Sequence, residues 1–256
     1  MRRRRHRHAA VAVLCLGLAW SLSARAYRPF DSTDAAVAER GKIELELGPV
    51  GFLKEGPDRL LAVPSVIFNW GFAERWELVL EGRQFVHLGS AAPPRLSLED
   101  DALSLKTVLR DGVLQEKTGL SVAAEVSALL PTINGESGAG AQATLILSQR
   151  WDPLTAHVNT AVAWTRAHAL GSFAGLIVEG HDAWPVRPVG EVFVQAEHEV
   201  PTTVSVLGGA IWRAREDLSV DAAVRLARAG GESTTELRLG LTWAFSAGFP
   251  SSRSEP

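Results

Sequence analysis

Apolar and polar side chains alternate with a period of two along most of this chain. Residues 42–47 read Lys-Ile-Glu-Leu-Glu-Leu, which puts Ile43, Leu45 and Leu47 on one face of an extended segment and Glu44 and Glu46 on the other. That period belongs to a β-strand whose two faces meet different surroundings. The scheme recurs at 76–83, 101–110, 122–130, 141–151, 154–165, 218–227 and 235–245. In the last of these, Leu237, Leu239, Leu241, Trp243 and Phe245 oppose Glu236, Arg238 and Thr242. Looser alternation marks four further strands at 60–68, 173–179, 189–198 and 203–213. Pro64 has no N–H to give to a ladder, so a bulge is expected there, and Gly208-Gly209 is expected to mark a bend. The total is about twelve strands, an even number, as an up-and-down barrel with both termini on one side requires.

The polar face decides what kind of sheet this is. An ionised carboxylate facing lipid is costly, whereas one facing an enclosed wet interior is not. The pattern therefore predicts an all-β, transmembrane, antiparallel up-and-down β-barrel. Its lumen would be lined by Glu44, Glu46, Glu77, Glu81, Arg83, Lys106, Arg110, Glu125, Glu191, Arg225, Glu236 and Arg238. Compact polar links at 69–75, 110–118, 150–152 and 213–217 are expected as periplasmic turns. Links at 48–59, 84–98, 131–140 and 229–233, longer or richer in Gly and Pro, are expected as outer loops, with the long link at 181–188 an exception on the turn side. Asn134-Gly135 and Gly230-Gly231 are turn dipeptides.

The N-terminus adds a compartment. Arg2 to Arg5 and Arg7 precede an apolar stretch from Ala9 to about Leu22, and Ala24-Arg25-Ala26 supplies small residues at a cleavage site. This is the layout of a cleavable secretory signal peptide, and the stretch is short for a membrane-spanning helix. The expected organisation is a signal peptide at 1–26, a periplasmic lead-in at 27–41, the barrel at 42–245 and a flexible tail at 246–256.

Charge and composition remove alternatives. Of the 26 Lys and Arg, six arginines fall within 1–26, leaving 20 against 29 Asp and Glu, a net of −9. That argues against nucleic acid as a partner. Hydrophobic residues make up 46% of the chain without any long apolar run after the N-terminus. A helical membrane protein is thereby excluded, but a barrel, in which alternate residues face lipid, is not. Trp70, Trp76, Trp151, Trp164, Trp184, Trp212 and Trp243 fall near strand ends, where indoles favour a membrane interface.

Chemistry-bearing motifs are sparse. The single cysteine, Cys15, lies in the N-terminal apolar stretch, so no disulfide or thiolate metal site is expected beyond it. Gly135-Glu136-Ser137-Gly138-Ala139 loosely resembles a nucleophile elbow but sits between strands, where that motif needs a strand-to-helix turn. His87, His157, His168, His181 and His198 are scattered, and alternation sends His198 away from Glu197 and Glu199. No catalytic residue, cofactor or metal is expected, and the chain is not expected to be an enzyme.

Several segments resemble a known family. Arg28-Pro29-Phe30-Asp31, Thr33-Asp34-Ala35-Ala36-Val37, Glu44-Leu45-Glu46-Leu47-Gly48, Trp76 to Gly82, Leu103-Ser104-Leu105-Lys106, Trp184 to Val189 and Leu237 to Phe245 look like outer-membrane barrels of the MetA-pathway of phenol degradation family. The resemblance covers most of the chain after the N-terminal signal and rests on strand patterns. It implies a Gram-negative outer-membrane barrel with uptake of hydrophobic or aromatic compounds, and carries over no binding residue. The strand ending at Phe245 resembles the assembly signal of such barrels, which implies the barrel assembly machinery as a partner in biogenesis. Here residues 246–256 follow it. The expected function is passive passage of a small solute through a charged lumen, with membrane lipid as the surrounding partner. The alternative is a non-conducting structural or adhesion barrel. A lipid-acting barrel hydrolase would need a paired serine and histidine at the outer face, which the sequence does not display. A soluble periplasmic sandwich is the remaining class.

Overall fold

The computed structural model describes residues 28–89 and 95–247. The expected signal peptide, part of the 84–98 loop and most of the C-terminal tail lie outside the described residues. Twelve strands run antiparallel, each paired with its sequence neighbours: β1 (Lys42–Glu55), β2 (Asp58–Ala73), β3 (Trp76–His87), β4 (Leu96–Arg110), β5 (Ser121–Leu129), β6 (Gly140–Trp151), β7 (Leu154–Trp164), β8 (Leu170–Gly180), β9 (Val186–Glu197), β10 (Val200–Arg215), β11 (Leu218–Ala229) and β12 (Glu232–Ser246). β1 also pairs with β12, from Lys42↔Ser246 to Glu55↔Thr234, and the sheet closes on itself as a barrel. The shortest strand, β5, has nine residues, about the length a tilted strand needs to cross a bilayer core.

The strands run further than the alternation alone indicates. The 48–59 segment, expected as an outer loop, is mostly strand. A register shift between Leu47 and Val50 absorbs Gly48 and Pro49, and pairing with β12 resumes beyond it. Proline has no ladder donor, and a bulge is where a strand tolerates one. Pro64 sits at a second shift, between Ala62 and Ser65 against β3. Gly208 and Gly209 do not mark a break in pairing, since they keep register with both β9 and β11.

The expected contrast between short turns and long loops is also corrected. Hairpins at 56–57, 198–199 and 230–231 are as tight as those at 74–75, 152–153 and 216–217 on the end that carries the chain termini. Gly230 and Gly231 both take positive φ, the conformation that a two-residue hairpin of matching twist demands. The 111–120 link, on the terminal side, contains a short 3-10 turn at Val113–Gln115.

The barrel wall separates two environments. Leu80, Leu105, Leu145, Val158, Leu176, Val192, Val206, Val220 and Leu239 are exposed on the outer surface, and Val126 and Val162 retain 61% and 67% of their accessible area. An apolar band of that extent marks a lipid- or protein-facing surface. Trp76, Trp151, Trp184, Trp212 and Trp243 are exposed at the terminal end of the barrel and Trp164 at the other, as interfacial indoles would be. Glu46, Glu77, Lys106, Glu191, Asp221, Glu236 and Arg238 are instead buried inside.

Eight strands give an interior that side chains alone can fill, and twelve leave more room than that. The extra space holds chain. Residues 28–41, expected as a periplasmic lead-in, run inside the barrel, where Arg28, Ser32, Ala35, Ala36 and Ala38 are buried. Beside them the 111–120 link places Leu114 against Ala35, Ala36, Ala123 and Ile146.

Candidate functional site: the lumen and its N-terminal plug

A segment outside the sheet must find partners for its own backbone N–H and C=O groups. Residues 28–41 find them on the wall, and acceptors there are the inward carboxylates and amides. Glu46 on β1 accepts from the Arg28 N–H at 2.9 Å. Glu191 on β9 uses both oxygens, for the N–H groups of Asp31 (2.9 Å) and Ser32 (2.7 Å). Asn159 on β7 holds Thr33 from both sides, accepting from its N–H and donating to its carbonyl. Ser148 on β6 accepts from the Ala35 N–H, and Glu77 on β3 from that of Ala38. Arg238 on β12 donates to the Pro29 carbonyl at 2.6 Å. The segment is thus a plug tethered to six strands around the barrel.

Two glycines make the room. A Cβ at Gly71 would lie 2.1 Å from the Ala38 carbonyl oxygen, and one at Gly240 would lie 2.3 Å from Nε of Arg28. No side chain fits either place while the plug is docked.

Around the plug the wall charges fall into groups. Glu236 gathers three guanidiniums, from Arg225 and Arg238 at 2.8 Å each and Arg83 at 3.4 Å. Arg238 also pairs with Asp31 of the plug at 3.0 Å. Enclosure pushes the Asp31 carboxyl upward, but the guanidiniums of Arg238, Arg225 and Arg83 outweigh it and hold it below its ordinary value of 3.8. On the other side Arg28 faces Asp221 at 3.7 Å, and its Nη1 donates to Ser65. Lys106 reaches the plug through Asp34 (3.7 Å) and Thr33 Oγ1 (3.2 Å).

Between the plug and the 130–139 and 165–169 connections lies a cavity of about 610 Å³, floored by Phe30, Asp31, Ser32 and Thr33. Glu77, Glu81, Arg83, Lys106, Glu125 and Arg225 line it. Of the twelve residues expected in the lumen, those six face this cavity. Glu46, Glu191 and Arg238 hold the plug, and Glu77 does both. Glu236 organises the arginine cluster, and Glu44 is buried on β1. Arg110 stands apart, exposed at the end of β4 past a register shift at Val108.

Other residues of the site carry no motif. Ser148 Oγ lies 2.7 Å from Nδ1 of His157, whose Nε2 is 3.3 Å from Glu179, itself paired with Arg187 at 2.9 Å. This serine–histidine pair, which the sequence does not display, sits at the terminal end rather than the outer face. Ser148 is fully buried and already accepts the Ala35 N–H, so the chain of contacts anchors the plug. The tight 152–153 hairpin fixes Trp151 opposite Leu154 and hence Ser148 opposite His157. Counting outward from Asp152-Pro153 is the signal that finds it.

No protein-family model matches the sequence, and no curated protein does. Among solved structures the fold is similar to an outer membrane channel from Pseudomonas putida F1, with a TM-score of 0.61 at 10% identity over 84% of this chain and 100% of that one. It is similar to the NanC porin (TM-score 0.56, 7% identity, 78% of this chain and 98% of that one) and to the KdgM porin (0.52, 8%, 79% and 99%). At such identities the likeness is one of fold.

Proposed function

We propose that this chain is a Gram-negative outer-membrane channel that passes a small solute, with residues 28–41 as its internal gate. The observation that carries the reading is the combination of an apolar exterior with a charged, cavity-bearing lumen whose obstruction is tethered by hydrogen bonds to side chains. The wall is closed by continuous ladders on every strand, whereas the plug contributes no strand. Undocking it therefore leaves the barrel intact, and lumen water replaces each lost bond. The fold neighbours are channels and porins, which favours transport over catalysis. The likeness of the strand segments to the MetA-pathway of phenol degradation family supports a hydrophobic or aromatic solute, and Phe30, Phe173 and Phe193 in the cavity agree with it.

Passage would be diffusive, and the wall charges Glu81, Glu125, Arg83 and Arg225 would set ion preference. Planar-bilayer recording tests this. Glu81→Lys is expected to shift the reversal potential under a salt gradient toward anions, and deletion of residues 28–38 is expected to raise unitary conductance. The docked plug also fits the second reading, a non-conducting scaffold. Silence from both the intact and the plug-deleted barrel would establish that reading and end the first.

A further inference from the structure

We propose that the lumen cavity is a binding site for an organic cation with an aromatic body, its ammonium group at Asn69, Glu81 and Glu125 and its ring against Phe173 and Phe193. This names the solute class of the site described above and rests on the reading that the cavity lies on the solute's path.

The sign of the charge comes from counting partners. The cavity's cations are engaged: Arg83 and Arg225 by Glu236, Arg166 by the Leu130 and Asp101 carbonyls, and Lys106 by Asp34 and Thr33. On the acidic side, Glu81 has no hydrogen bond or ion pair among the described residues, and Glu125 has only the Ser127 hydroxyl at 3.5 Å. The groups lining the cavity without an opposite charge against them are carboxyls, so an anion is disfavoured and a cation is the ligand they suit.

An independent feature points to an N–H donor. Asn69 is fully buried, and its Nδ2 donates to Glu46 Oε1 at 2.9 Å. An ionised carboxylate only accepts, so the amide cannot be turned over. Its Oδ1 is buried with no donor, and the residue lines the cavity. A buried acceptor left without a donor is costly, and a ligand that supplies one recovers that cost. Asn69 pairs with Val79, and Ile67 with Glu81. Asn69 and Glu81 are therefore diagonal neighbours on the inner face of adjacent strands, close enough for one ammonium to meet both.

The rest of the ligand follows from the facing wall. Phe173 on β8 and Phe193 on β9 pack in a tilted pair 5.2 Å between ring centres, and both line the cavity with Ala161, Ala163 and Phe30 of the plug. β8 lies five strands from β3 around a ring of twelve, so the apolar patch confronts the acidic one. About 610 Å³ is ample for a single-ring amine.

The test is calorimetric titration of the full barrel, refolded in detergent, with benzylamine, benzyl alcohol and phenylacetate at neutral pH. Benzylamine is expected to bind at least about tenfold more tightly than the neutral alcohol, the worth of one charge-assisted hydrogen bond, and phenylacetate not to bind. Glu81→Gln and Glu125→Gln should each erase most of that preference, while Phe173→Leu should weaken amine and alcohol alike. Heat-modifiable migration confirms that each variant is folded, and the two carboxamide variants substitute for one another if one is not. Equal binding of benzylamine and benzyl alcohol, or a preference that survives in both carboxamide variants, overturns the proposal. Because no flux is measured, a barrel that conducts without discriminating sinks this inference alone, and one that discriminates without conducting sinks only the channel reading.

Discussion

Glu191 offers the sharpest test of whether the plug is held as described. Its two oxygens accept from consecutive backbone N–H groups, those of Asp31 and Ser32. Glu191→Gln keeps the size of the side chain but exchanges one acceptor for an NH₂ group that faces an N–H. One hydrogen bond to a charged group is lost and a donor is set against a donor. A bond of that type contributes about 1.5–3 kcal/mol, so about 2 kcal/mol of docking free energy should disappear. That corresponds to a roughly 30-fold larger undocked population. Ser32→Cys supplies the reporter. Ser32 is buried and cysteine differs from it by a single atom, so the exchange is a small one, and Cys15 is the sole native cysteine. Maleimide labelling of Cys at this position should be slow in the parent barrel and proportional to the undocked fraction, hence roughly 30-fold faster with Glu191→Gln. Equal labelling rates in the two backgrounds, with both barrels folded, would refute the tether. Fast labelling in the parent would refute the docked plug itself.

Three further outcomes are expected. Gly71→Val places a branched side chain where the Ala38 carbonyl lies, so it should release the plug and raise conductance while heat-modifiable migration shows an intact barrel. The depressed Asp31 carboxyl contributes docking free energy that is fully present above its ordinary value of 3.8 and is lost as pH falls through its lower, docked value. Labelling at position 32 should therefore be flat from neutral pH to about pH 4, on a scale corrected for reagent chemistry, and accelerate below it. Brominated lipids should quench the fluorescence of Trp151, Trp212 and Trp243 when the bromines sit near the headgroups, and only weakly when they sit at the bilayer centre.

The wall was legible because two physical signals coincide there. From Leu237 to Phe245 every second residue of β12 is Leu, Trp or Phe, and Glu236 and Arg238 take the opposite face, so an apolar exterior and an enclosed charged interior give the same answer. Where only one signal operates, the reading falls short. Gly48, Pro49 and Gly51 resemble a turn by residue type, yet β1 passes through them because pairing with β12 continues on either side of a bulge. Long-range register overrides local preference at such points, and residue type alone does not display it. Arg28 to Ala38 has no period at all, since much of its docking runs through backbone N–H groups, which any residue supplies, and its few side-chain contacts, those of Arg28, Asp31, Thr33 and Asp34, follow no repeat. Its position is written instead in the wall: in Gly71 and Gly240, which lack a side chain where the plug passes, and in Glu46 and Glu191, which accept from backbone N–H groups invisible to any pairing of charges.

That division of labour also bears on which part of the molecule the proposed gate would release. Opening the wall means breaking a ladder between two strands that each bury their pleated inner face. Releasing the plug means exchanging hydrogen bonds to Glu46, Glu77, Glu191, Ser148 and Asn159, and the ion pairs of Arg28, Asp31 and Asp34 with the wall, for contacts with water, at a net of about 0.5–1.5 kcal/mol for an ordinary bond and more where a partner is charged. Of the plug's six buried residues three are alanines, Ala35, Ala36 and Ala38, and none of the others is a large aliphatic or aromatic side chain, so little apolar area opposes its departure: a methyl group withdraws far less surface from water than a leucine or phenylalanine does. An inward segment built to stay would bury large side chains and add a strand. One that buries three alanines, hangs from carboxylates and fits against glycine suits the proposed gate.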